Sequence, residues 1–68
     1  MLTLSLNGVQ TDVALESGTI ADLVSMLGLV GKRIAIERNG EIVPRSRYAT
    51  TPVERGDRLE IVGAVGGG

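Results

Sequence analysis

The residues best suited to chemistry in this 68-residue chain are its last three, Gly66-Gly67-Gly68. Glycines contribute no packing and lose the most backbone freedom on ordering, so a folded domain has little use for three of them after its last strand. Lacking a Cβ, they can thread a narrow slot and leave a carbonyl open from either side. With Gly68 as the chain's own terminus, its α-carboxyl group has a pKa of about 3.3–3.7 and is an anion at neutral pH. Such an anion can act as a nucleophile toward an α-phosphate. The six residues Gly63 to Gly68, at ~3.3–3.6 Å each, reach roughly 20 Å, enough to enter another protein's pocket while the body stays outside. A frayed end is the plain alternative. Against it, the tail follows directly on a hydrophobic strand.

No other constellation competes with the tail. Gly28-Leu-Val-Gly31-Lys32 ends like a phosphate-binding loop, but its spacing is too short and Arg33 stands where Ser or Thr is needed. A helix stop followed by a loop explains it. The sequence has no cysteine and no histidine, hence no thiolate nucleophile, no disulfide, no usual general base and no Cys/His metal site. The expectation is a protein without catalysis of its own, binding no metal and no cofactor. Asp12, Glu37, Glu41 and Glu60 alternate with inward positions and are expected to be solvated. Arg45 and Arg47 could meet an acidic partner, although a solvated loop serves them equally. Lys32 is the one side-chain amine.

The 43% apolar and 22% charged content suits a globular domain. No run nears the ~18 apolar residues of a membrane span and no basic leader opens the chain, so a cytoplasmic protein is expected. Residues 1–31 hold three acidic and no basic groups, and residues 32–68 hold seven basic against five acidic. That mild dipole, with Tyr48 the sole aromatic, offers no platform for nucleic-acid bases.

The elements that must position the tail follow from periodicity. Leu2, Leu4 and Leu6 alternate with Thr3 and Ser5, and Asn7-Gly8 then favours a tight hairpin into a strand over Val9–Val13. Glu16-Ser17-Gly18 breaks that strand. Thr19 and Asp22 form a capping box, and Ile20, Leu23, Val24 and Leu27 make one helical stripe that ends at Gly28. A third strand over 33–37 turns at Asn39-Gly40 into Glu41-Ile42-Val43, which Pro44 stops. Residues 44–56 read as an irregular loop pinned by Tyr48, and the last strand runs to Val62. Leu4, Leu23, Ile36 and Ile61 should converge in the core.

The order β-β-α-β-β-β implies an α+β domain: a mixed sheet of about five strands with one covering helix. The last strand has no local partner and is expected beside the first, in the middle of the sheet. That arrangement is the ubiquitin-like β-grasp, with a domain over 1–62 and a flexible glycine tail over 63–68. Ala35, Val62 and the tail root Ala64-Val65 are expected to form an apolar docking patch.

Val43-Pro44-Arg45-Ser46-Arg47-Tyr48-Ala49-Thr50-Thr51, then Gly56-Asp57, Glu60-Ile61-Val62 and Ala64-Val65-Gly66-Gly67-Gly68, resemble the ThiS family of thiamine-biosynthesis sulfur carriers. The resemblance covers nearly the whole chain. It implies a carrier whose Gly68 is adenylated by an ATP-dependent, E1-like enzyme (ThiF type), ATP being used by that partner. Sulfur supplied through a cysteine desulfurase then makes a thiocarboxylate, with Gly66 and Gly67 threading partner active sites. Thiazole synthase (ThiG type) receives the sulfur for the thiazole ring. Gly63 departs from the larger residue expected there. Three alternatives stand beside this reading: the molybdopterin synthase small subunit, a protein-conjugating modifier, and a β-grasp interaction domain with an inert tail.

Overall fold

The computed structural model describes residues 1–15 and 18–63. The tail residues Ala64, Val65, Gly66, Gly67 and Gly68 lie outside the described residues, as do Glu16 and Ser17 of the expected strand break.

The first hairpin pairs β1 (Leu2–Leu6) with β2 (Val9–Val13), Leu2 opposite Val13 and Leu6 opposite Val9. The second pairs β4 (Ile34–Arg38) with β5 (Glu41–Val43). Both turns hold an asparagine at positive φ, 52° at Asn7 and 53° at Asn39, followed by a glycine at 83° and 87°. Two successive left-handed residues define the turn whose twist matches the flanking strands, and Asn-Gly meets that demand with least strain.

The helix α1 (Ile20–Met26) begins with the expected capping box: Thr19 Oγ1 accepts from the Asp22 amide, and Asp22 Oδ2 accepts from the Thr19 amide at 2.8 Å. Its seven residues make about two turns, slightly less than the two and a half expected. Gly28, at φ 73°, takes the chain out of the helix.

The last strand, β7 (Arg58–Gly63), lies at the centre of a five-stranded sheet of order β2-β1-β7-β4-β5. It runs parallel to β1 and antiparallel to β4, giving the expected mixed β-grasp sheet, and ends one residue beyond Val62.

The irregular stretch is more ordered than its composition suggests. Arg45–Arg47 form a 3-10 turn, and β6 (Pro52–Val53) pairs antiparallel with β3 (Gly18–Thr19) in a second, two-stranded sheet. Val53 is a core residue that the polar surroundings conceal. Tyr48 does pin this segment: its half-buried ring packs on the core, and its carbonyl accepts from the Ala21 amide at 2.9 Å.

Leu4, Ile20, Leu23, Ile36 and Leu59 are the largest fully buried side chains, sealed between the helix and one sheet face. Ile61 is a correction to the expected core. It is half-buried at the edge of that cluster, and Leu59, two residues earlier on the same face, fills the centre instead. Ile61 borders an open groove with Leu6, Leu27, Leu29 and Ile34, which leaves part of its side chain uncovered. Among the described residues no helix is long and apolar enough to cross a membrane.

Candidate functional site: the root of the C-terminal tail

Gly63, the last described residue, leaves the sheet from its central strand rather than from an edge. Its backbone φ is not left-handed, and a Cβ built there would meet nothing within 4 Å. The larger residue expected at this position in relatives would therefore fit without strain.

Apolar surface flanks this root on both faces. On the outer face Ala35 and Val62 stand directly opposite one another, both exposed, Val62 to 62%. Exposed Ile42, opposite Glu37, continues that face on β5. Nearby outer positions are polar or charged, including Ser5, Glu37 and Glu60, and Glu37 pairs directly with Glu60. Like charges facing across a ladder repel, so this acidic pair costs stability unless a cation approaches it. On the inner face Leu6, Leu27, Leu29, Ile34, Ile61 and Gly63 border a groove of about 380 Å³ beyond the end of the helix.

The two loop arginines behave differently. Arg45 donates from its guanidinium to the Lys32 carbonyl at 3.2 Å, tying the 3-10 turn to the loop before β4. The Arg47 side chain is exposed, while its carbonyl accepts from the amides of Thr50 and Thr51 and from the Thr51 hydroxyl. The Lys32 carbonyl that Arg45 holds lies two residues before Ile34, the residue opposite Gly63.

Sequence reasoning missed the polar hub behind the central strand. Asp57 is only 6% exposed and accepts from Arg38 Nε at 2.8 Å, from the Glu54 amide at 2.8 Å and from the Asn39 side chain at 3.1 Å. Burial pushes its carboxyl up. The Glu54 amide, Arg38 and Asn39 outweigh that and hold it below the ordinary carboxylate range. The same hydrogen bond, opposed by desolvation and helped by the charges of Asp57 and Glu54, raises the Arg38 guanidinium. The only signal in the sequence was Gly56-Asp57, which reads equally well as an ordinary turn. Among the described residues no three acidic, Cys or His groups gather to hold a metal.

The comparisons with known proteins agree with this architecture. The profile of the ThiS family matches residues 4–68. The sulfur carrier protein ThiS of Bacillus subtilis is 40% identical over 65 residues, covering 96% of this chain and 98% of that one. A thiazole synthase of Paramagnetospirillum magneticum is 43% identical over 67 residues, 98% of this chain but only 20% of that protein, so the chain spans about a fifth of that relative. The crystal structure of the thiamine biosynthesis protein ThiS from Geobacter metallireducens superposes with a TM-score of 0.84 at 32% identity, covering 98% of this chain and all of that one. A central strand delivering a glycine tail, in a domain matched nearly end to end, places the chain in the ThiS family of sulfur carrier proteins.

Proposed function

We propose that the chain carries sulfur as a thiocarboxylate on Gly68 and gives it to a thiazole synthase for the thiazole ring of thiamine. The observation that supports this most is the origin of the tail. Gly63 ends a central strand that pairs with β1 at its beginning and with β4 as far as Gly63 itself, so the body is a firm handle for a glycine segment long enough to enter a partner's site. The relatives bearing a thiazole synthase name support the receiving partner.

In the activating step an oxygen of the Gly68 carboxylate attacks the α-phosphorus of ATP, and pyrophosphate leaves. An adenylating enzyme of the E1 type binds the ATP; the carrier holds none. AMP is a far better leaving group than oxide, so a sulfur nucleophile can then add to the acyl carbon and expel it. That nucleophile is a persulfide supplied through a cysteine desulfurase, and a thiol then reduces the resulting acyl disulfide, leaving the thiocarboxylate on Gly68 and taking the other sulfur into its own disulfide. The carrier's part is to present the carboxylate, which is why its lack of cysteine and histidine is no handicap. Gly66 and Gly67 occupy the partner's slot, and the exposed pair Ala35–Val62, with Ala64 and Val65, docks on the partner.

The test is the intact mass of the full chain after incubation with the adenylating enzyme, ATP and a sulfur source. The expected result is exchange of one oxygen for sulfur, mapped to Gly68. A mass that stays unchanged while the partner's own ATP–pyrophosphate exchange is intact overturns the carrier reading. An isopeptide bond from Gly68 to protein lysines makes the chain a modifier instead.

A further inference from the structure

The parallel ladder between β1 and β7 ends at Leu6 opposite Leu59, because Asn7 enters the hairpin turn at φ 52°. Its main-chain amide still donates to the Leu59 carbonyl at 2.8 Å. In a parallel pair the next rungs would be an acceptor for the Ile61 amide and a donor for the Ile61 carbonyl. The turn carries the β1 backbone away, and the Asn7 side chain supplies both. Its Oδ1 accepts from the Ile61 amide at 2.7 Å, and its Nδ2 donates to the Ile61 carbonyl at 3.1 Å. One carboxamide thus replaces the missing peptide and extends the pairing of β7 to within two residues of Gly63.

We propose that Asn7 is a positioning residue for the C-terminal glycine, acting through Ile61, and this rests on the adenylation reading above. Two features make the clamp consequential. Ile61 is half-buried at the edge of the core, and the groove that it shares with Asn7, Leu6, Leu27, Leu29 and Ile34 leaves its side chain incompletely covered. Beyond Leu59 the β1 hairpin fastens β7 only through this carboxamide, while β4 continues to Ile34 opposite Gly63. Releasing Asn7 leaves the final residues of β7 paired on one side and lets the origin of the tail swing.

Asn39 provides the internal control. It occupies the equivalent turn at φ 53° and also clasps β7, its Oδ1 accepting from the Arg58 amide at 2.9 Å, but at the end of the strand away from the tail. Asn7→Gly and Asn39→Gly both keep a residue that tolerates positive φ, so both hairpins can still form. Each removes one clasp on β7.

The experiment measures KM and kcat for the full-length carrier in ATP–pyrophosphate exchange with its adenylating enzyme, together with amide hydrogen exchange at Ile61, Val62 and Gly63. For Asn7→Gly the expectation is a KM raised about tenfold with kcat little changed, since freed residues must be reordered on binding. Protection of the Ile61 amide should be lost. Asn7→Asp, which keeps the acceptor and loses the donor, should fall between and serves if the glycine variant folds poorly. Asn39→Gly should lower the melting temperature without moving KM. An unchanged KM in Asn7→Gly and Asn7→Asp overturns the proposal, as does an equal rise in Asn39→Gly. A wild-type chain that supports no exchange overturns the adenylation step instead. The clamp is then decided by whether Val62 and Gly63 lose protection in Asn7→Gly and keep it in Asn39→Gly.

Discussion

Arg38 at the end of β4 donates to Asp57, the residue just before β7, through Nε–Oδ2 at 2.8 Å, joining the second hairpin to the loop that feeds the central strand. The same guanidinium reaches Glu54 at 3.0 Å, and Asn39 adds its amide to the other oxygen of Asp57. The second hairpin and the 54–57 loop thus meet on one carboxylate that the solvent scarcely touches.

This carboxylate should make the fold acid-sensitive. Its native pKa lies below the ordinary value, so its contribution is complete above the unfolded pKa of about 3.9 and is lost as pH falls through the lower native one. Urea melts of wild type should weaken from about pH 4 downward. Asp57→Ala, which strands Arg38, Asn39 and the Glu54 amide, should cost ~2–3 kcal/mol at pH 7 and flatten that dependence. An equally steep acid limb in the variant would assign the sensitivity to other groups.

The centre of the core should be far less forgiving than its edge. Leu4 is 1% exposed and packs with Leu23, Ile36 and Leu59, so Leu4→Ala should cost ~2–5 kcal/mol, a large share of a small domain's stability. Ile61→Ala, at the open end, should cost clearly less. Equilibrium urea denaturation of both variants checks the order.

Gly63 should be improvable. It faces the same apolar groove as Ile61, and a Cβ there meets nothing within 4 Å. Gly63→Val should raise stability by ~0.5–1 kcal/mol by restricting the unfolded chain and filling part of the groove. A lower melting temperature would mean that the groove closes around glycine.

Docking should depend on the outer face. Val62→Asp places a charge in the exposed pair with Ala35, beside Glu60 and Glu37, without entering the core. Affinity for the adenylating enzyme and for thiazole synthase should fall by about tenfold or more, the scale of a ~1.4 kcal/mol contact, while the urea midpoint holds. Should both affinities survive, Arg45 and Arg47 become the surface to test.

The tail should be all chemistry and no stability. Among the described residues every buried core residue lies between Leu2 and Leu59, so Gly67→Val or removal of Gly68 should leave the melting temperature unchanged. Each should abolish pyrophosphate exchange, valine by its bulk and narrower φ/ψ range, the deletion by leaving the carboxylate ~3.3–3.6 Å short of the phosphorus. An alanine added after Gly68 should fail in the same way. Normal exchange in the Gly68 deletion would favour a binding module whose tail is inert.

Much of this protein was determined locally and could be read from the chain. Asn7-Gly8 and Asn39-Gly40 dictate their turns because few residue pairs tolerate two positive φ angles in succession. Thr19 and Asp22 start the helix by satisfying amides within three residues of one another. The place of β7 also followed, since a final strand without a local partner can bury both of its edges only between β1 and β4. What the sequence could not carry were relations whose partners lie far apart along the chain. Val53 looks like one apolar residue in a polar loop until Gly18–Thr19 arrives to pair with its strand. Asp57 looks like a turn residue until β4 brings Arg38 and Asn39 to it. Asn7 reads as turn chemistry, and only the parallel pairing of β1 with β7 turns its side chain into the missing rung for Ile61. Local preference acts through the backbone of a few neighbours. Buried polar partners and strand clamps depend on which distant segments the collapsed sheet sets side by side, and that only the tertiary structure decides.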